Sequence, residues 1–207
     1  LQTSAREEAD HYVLNGQKVW TSAAHTADWA YVLARTDPEL PKHRGISGFL
    51  VNLKTPGVSV RPLINANGDQ GFNEVFFDDL HVPKENLLGG KNKGWHVTLR
   101  LLDFERVAIP WYTEAHRYLD DLTEYIRQTG CSNSTLRLHI SRLLSECEAA
   151  RLIVYRAVSL ADRKLNFSIE AAMAKVFNLE LNQRVAALGM EILGPHGGLV
   201  EGYKWAV

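Results

Sequence analysis

Cysteine is nearly absent: Cys131 and Cys147 are the only two in 207 residues. Their spacing matches no metal motif, and so few thiols point to a reducing setting rather than a disulfide-stapled scaffold. Long apolar runs are also missing. Stretches such as GISGFLV at 45–51 are far too short to span a bilayer. Neither sign of charge is in excess, with 23 Lys and Arg against 24 Asp and Glu and a formal net charge of −1. That excludes a global basic field drawing the chain to nucleic acid or an anionic membrane. The eight histidines are scattered, with no HxxxH and no Cys/His cluster, so no metal site is visible. There is no nucleophile elbow, P-loop or GxGxxG. Any nucleotide cofactor is therefore expected to be held otherwise than in a Rossmann fold.

What is present is 45% hydrophobic residues, the level of an ordinary globular protein. The length allows one large domain or two modest ones. The polar start, LQTSAREEADHYV, reads as no secretory signal and as already approaching a strand. The end, EGYKWAV, reads as an opening helix. Together they raise the expectation of a piece of a longer chain.

The first part is β-like. YVLNGQKVWTS (12–22) reads as a hairpin, with Asn15-Gly16 supplying a tight type I′ turn. WAYVLAR (29–35), GFLVNL (48–53), VSVRPL (58–63), NEVFFD (73–78) and Leu80 to Val82 read as further strands. Thr55-Pro56-Gly57 and the polar loop DPELPKHR (37–44) lie between them. Short strands without intervening helices predict an antiparallel barrel or sandwich. From Lys93 the period changes. Trp95, Leu99, Leu102, Ile109, Tyr112, Leu119, Leu122 and Ile126 recur at helical spacing, with a kink expected at Pro110 and an end at Gly130. Thr135 to Lys164 reads as a second helix with Leu136, Ile140, Leu143, Cys147, Ala150 and Val154 inward. A third runs from a capping Ser168 to about Leu193, where GPHGG breaks it. The fold class is α+β: a β-barrel or sandwich domain over 1–88, then an incomplete up-down helical bundle over 89–207.

Chemistry concentrates where the character changes, in GWHVTLRLLDFERVAI (94–109). Asp103 and Arg106 share a helix face, while Glu105 points roughly 100° away from Arg106. A lone carboxylate among Leu, Phe, Val and Ile is a place where burial could make a base; a solvated Glu on an ordinary helix is the plainer alternative. Trp20-Thr21-Ser22 could cover a flat ring and donate hydrogen bonds to it, or be a half-buried strand Trp beside solvated hydroxyls. Lys42-His43-Arg44 could meet a phosphate or be a solvated turn. Gly194 to Gly198 could admit a pyrophosphate or simply stop a helix.

Taken in order, YVLNGQKVWTS, WAYVLART, KHRGISGFLV, FNEVFFDDLHVPKENLLG, GW…LLDFER and MEILGPHGG resemble the acyl-CoA dehydrogenase family over essentially the whole chain. The resemblance implies the family's middle β-domain plus three helices of its C-terminal bundle. It implies FAD as cofactor, an acyl-CoA substrate, electron-transfer flavoprotein as acceptor, and a homo- or hetero-oligomer, commonly a homotetramer. A role in fatty-acid β-oxidation and a location in bacterial cytoplasm or an organellar matrix follow in the same way. Trp20, Thr21 and Ser22 match residues at the flavin ring. Asp103 and Arg106 match positions that contact acyl-CoA, and His43 falls at a loop position near the CoA. Glu105 matches the catalytic base of the isovaleryl and long-chain subgroup. Arg127, Glu191 and Gly194 fall where the family contacts a neighbouring subunit's flavin, with departures. Arg127 is shifted by one, Thr129 replaces a Phe, Pro195 replaces a Gly, and Glu191 stands where many members have Gln. An acid beside a pyrophosphate is unfavourable. A non-catalytic subunit and an oxidase-like relative are the alternatives on the same scaffold.

Overall fold

The computed structural model describes residues 1–107, 109–130 and 133–198. The helix expected to open at the end of the chain, and Cys131, lie outside them. The chain divides into two compact units, Leu1–Leu101 and Leu102–Val207.

The first unit is built on one seven-stranded sheet: β1 (Ser4–Glu7), β2 (His11–Ser22), β3 (Trp29–Arg35), β4 (Ile46–Asn52), β5 (Val58–Leu63), β6 (Phe72–Pro83) and β7 (Leu87–Leu88). The order is β5-β6-β2-β1-β3-β4-β7, so the sheet keeps two edges and does not close into a barrel. Every pairing is antiparallel except a single parallel contact, Ser4 with Arg35, that joins its two halves. Tyr12, Leu14, Val32, Phe49, Val51, Val75, Phe77 and Leu80 form the core.

Two sequence expectations are corrected here. Asn15-Gly16 is not a hairpin turn, because β2 runs straight through it. The register against β6 slips between Leu14↔Leu80 and Gly16↔Phe77, which makes a bulge. The Asn15 side chain spends its hydrogen bonds on Asp79, donating to its carboxylate and accepting from its backbone N–H, both at 2.9 Å. Gly16 is needed for its φ of 137° and because a Cβ there would sit 2.7 Å from Thr3 Cα. Likewise, the two short strands expected at 73–78 and 80–82 are one strand, β6, bent where Asp79 takes a left-handed φ of 43°.

The second unit holds the end of α1 (Gly94–Val107), then α2 (Ile109–Thr129), α3 (Ser134–Asp162) and α4 (Ser168–Leu193). The kink expected at Pro110 falls beside residue 108, which lies outside the described residues. Pro110 itself is the second residue of α2. Gly130 closes α2 with a left-handed φ of 68°. On α3 the six residues expected inward are all buried. The expected Ser168 cap is corrected: no side chain caps α4 from its N-cap residue, Phe167, and the Ser168 hydroxyl is engaged elsewhere. Leu119, Leu122, Leu143, Cys147, Leu181 and Val185 centre one core cluster; Val107, Val154, Phe167 and Ala174 belong to a second. Among the described residues no helix is long and apolar enough to cross a membrane.

Candidate active-site residues in the two units

In the first unit, the candidate ring-binding segment ends β2. A second register slip, between Lys18↔Val75 and Thr21↔Asn73, puts Trp20 in the left-handed region at φ 58°. A bulky side chain seldom adopts that backbone. The result is an indole 65% exposed, braced edge-on by Phe72 with ring centroids 5.9 Å apart. Asn73, fully buried, donates to the Thr21 carbonyl at 3.0 Å and so fixes the strand at this point. Ser22 is exposed one residue on. An outward-facing aromatic plane followed by two hydroxyls is a donor set that suits a flat heteroaromatic ring. Burial holds the Lys18 ammonium, two residues before Trp20, down at about 8. His43 is exposed in a turn of the 37–45 loop.

In the second unit, Asp103 is 5% exposed and accepts a 2.7 Å hydrogen bond from the Ser168 hydroxyl at the start of α4. A buried carboxylate there complements the positive end of the helix dipole. Arg106 Nη1 lies 3.7 Å from the same carboxylate. Asp103, expected with Arg106 to touch acyl-CoA, thus ties α1 to α4.

Of the two readings the sequence left open for Glu105, a buried carboxylate and a solvated one, the structure has the exposed one. Its side chain is 48% exposed, and both carboxylate oxygens accept from Lys175 Nζ of α4, at 3.0 and 3.1 Å. Lys175 in turn stands 5.2 Å over the Trp111 ring. Glu105 also lines a cavity of about 370 Å³ whose other walls are Phe104, Val107, Ile109, Pro110, Val158 and Ala161. It is the one carboxylate in an apolar wall. Lys175 was missed in the sequence, yet it is the one charged residue between Glu170 and Glu180, the same kind of signal that marked Glu105.

The positions expected to meet a neighbouring flavin are differently occupied. Arg127 makes two bonds to Glu124, at 2.8 and 2.7 Å, so its guanidinium fork is already matched to a carboxylate. Glu191 lines a second cavity, of about 340 Å³, with His139, Arg142, Glu146 and Arg184. Gly194 ends α4 at φ 54°, and a Cβ on it would meet no atom of the described residues within 4 Å. Gly194–Gly198 then forms a 3-10 turn. The acid at Glu191 and the self-paired Arg127 do not favour a phosphate.

Comparison with known proteins gives these features a family. Residues 1–80 match the acyl-CoA dehydrogenase middle domain and residues 92–206 the acyl-CoA dehydrogenase C-terminal domain. An acyl-CoA dehydrogenase of Mycobacterium tuberculosis is 35% identical over 207 residues, covering 97% of this chain and 53% of its own length. Subunit CarC of the caffeyl-CoA reductase–Etf complex of Acetobacterium woodii is 33% identical, covering 99% and 56%. The solved butyryl-CoA dehydrogenase of Megasphaera elsdenii superposes with a TM-score of 0.89 at 30% identity, over 98% of this chain and 55% of that one. The chain spans about half, or less, of the length of the curated relatives it matches. On these matches and on its fold, the chain belongs to the acyl-CoA dehydrogenase family.

Proposed function

We propose that this chain is part of an FAD-dependent acyl-CoA dehydrogenase that desaturates a CoA thioester between its α and β carbons, with Glu105 as the base. The observation that carries the reading is the placement of Glu105 as a single carboxylate in an otherwise apolar cavity wall. An apolar wall suits an acyl chain beside the acid, and general-base catalysis needs a carboxylate within reach of the proton it removes. Glu105 would receive the α-proton on a carboxylate oxygen. Trp20 would cover one face of the cofactor, and the Thr21 and Ser22 hydroxyls would donate to its edge. FAD, when bound, supplies the acceptor for the β-hydride at N5. Asp103 and Arg106 are kept as proposed contacts to the acyl-CoA, and Asp103, through Ser168, would also keep α1, and so Glu105, in place. His43 is the proposed contact to the CoA end. Arg127, Glu191 and Gly194 are kept as proposed contacts to a neighbouring subunit's flavin. Electron-transfer flavoprotein is the proposed acceptor, by analogy with the relative named as part of an Etf complex. A homo- or hetero-oligomer in a bacterial cytoplasm or an organellar matrix is the setting that goes with it.

A second reading is a non-catalytic subunit of a heteromeric assembly. Arg127 bonded to Glu124, and an acid at Glu191, favour it. Flavin absorbance of the full-length protein, purified alone and with partner chains, separates the two. In the flavin-loaded full-length protein, Glu105→Gln should slow flavin reduction by acyl-CoA at least a thousandfold while flavin stays bound. Reduction at the parental rate would reject Glu105 as the base. Oxygen matching electron-transfer flavoprotein as acceptor would point instead to an oxidase-like enzyme.

A further inference from the structure

Glu105 is held by a residue that neither the family resemblance nor the cavity brings forward. Lys175 meets both of its carboxylate oxygens, at 3.0 and 3.1 Å, and is steadied over the Trp111 ring at 5.2 Å. An exposed lysine that merely decorated the surface would keep its rotamer freedom. Here the ammonium is fixed from two sides, by an anion and by an aromatic face. The helix that carries it is fixed too. Ser168 lies seven residues before Lys175, so the two share a face of α4 about 10 Å apart. Ser168 hydrogen-bonds Asp103. Asp103 and Glu105 of α1 therefore grip α4 at points two turns apart, and the α1 segment bearing the acid cannot swing freely. The other groups around Glu105 do not compete for this role. Asp103 is taken by Ser168 of α4 and by Arg106, and α3 presents the apolar Val158 and Ala161 to the cavity.

We propose that Lys175 is a positioning residue for Glu105, holding its carboxylate in one orientation at the cavity wall. The inference rests on the reading of Glu105 as the base. A base displaced by a fraction of an ångström loses rate without losing substrate affinity. In the flavin-loaded full-length protein, Lys175→Met should lower the limiting rate of flavin reduction about tenfold, with the acyl-CoA dissociation constant within about twofold of the parent. Lys175→Arg, which keeps the charge, should come back to within about threefold of the parental rate. Trp111→Leu removes the ring and leaves both charges, so it should slow reduction about threefold. It serves as the loosening variant should Lys175→Met not fold. A parental rate in whichever loosening variant folds, or an Arg variant as slow as the Met variant, would overturn the proposal. So would affinity and flavin content falling in step with rate, which marks a purely structural residue. Glu105→Gln run in parallel keeps the two ideas apart: its loss of reduction beside an unaffected Lys175→Met sinks only the positioning role.

Discussion

The two units are tied together internally by different kinds of polar contact. In the sheet unit the ties reach far along the chain. Asn15 meets Asp79, Gln17 meets Glu74, and Asn73 meets Thr21, across 64, 57 and 52 residues. Each sits on the β2–β6 pair and pins its register. In the helical unit many ion pairs are one turn long: Arg127 with Glu124, Arg151 with Glu148, Arg142 with Glu146. Such exposed pairs add little, so helix position there depends on packing and on a few cross-helix ties such as Asp103–Ser168. Its apolar residues are distributed to match. Leu181, Val185 and Leu188 of α4 are buried while Ile169, Met173 and Val176 are exposed, so α4 carries apolar side chains on more than one face. The sheet unit is specified by register and the helical unit by volume.

If the helical unit is held by volume, removing volume should hurt it most. Leu181 is fully buried, and Leu181→Ala should cost about 3–4 kcal/mol by urea denaturation followed by far-UV circular dichroism. A cost below about 1 kcal/mol would break the contrast.

Glycine substitutions should then differ in sign between the units. Gly16→Ala combines a φ of 137° with a Cβ 2.7 Å from Thr3 Cα, and should cost about 2–3 kcal/mol. Gly189 sits inside α4 with room for a methyl, the nearest atoms being Leu122 carbons at 3.7 Å. There alanine should gain about 0.5–1 kcal/mol, read by the same denaturation.

The smallest effect expected is pH-dependent. Burial lowers the Lys18 ammonium from 10.5 to about 8, so its charged form is disfavoured in the folded state. The folded chain releases this proton before the unfolded chain does. The penalty is therefore full below pH 8 and relieved as pH rises toward 10.5. Lys18→Met should stabilise by about 1 kcal/mol at pH 7, allowing for remaining solvent contact, and the gain should vanish near the top of that window. Melting curves at three pH values check it; a gain independent of pH would assign the effect to packing alone.

The same contrast explains what could be read from the residues alone. The bounds of α4 and the inward face of α3 were legible because a 3.6-residue period is written within the helix itself. β3 and β5 were legible from local apolar runs between turn signals. Asn15-Gly16 misled, because the pair suits a turn and a bulge equally. What decided for a bulge was Asp79, 64 residues on. The same distance problem hid the partner of Glu105. Its acid stood out locally, whereas Lys175 lies 70 residues away in another apolar run. Trp20 was singled out for its chemistry, but its left-handed backbone comes from a register slip that only the paired strand reveals.

The start of α1 sets where this protein can be cut. Gly94 lies so close to the β4 backbone that a methyl there would come 2.5 Å from the Ser47 carbonyl carbon. The Tyr31 hydroxyl meets the Gly94 carbonyl at 3.3 Å and the Thr98 hydroxyl at 3.2 Å. A recombinant sheet fragment ending at the last strand would leave the β4 backbone at Ser47 and the Tyr31 hydroxyl without the helix turn that meets them. Carrying the coding boundary past the first two turns of that helix would keep those contacts, and would move the scar of the truncation into the helix rather than the sheet.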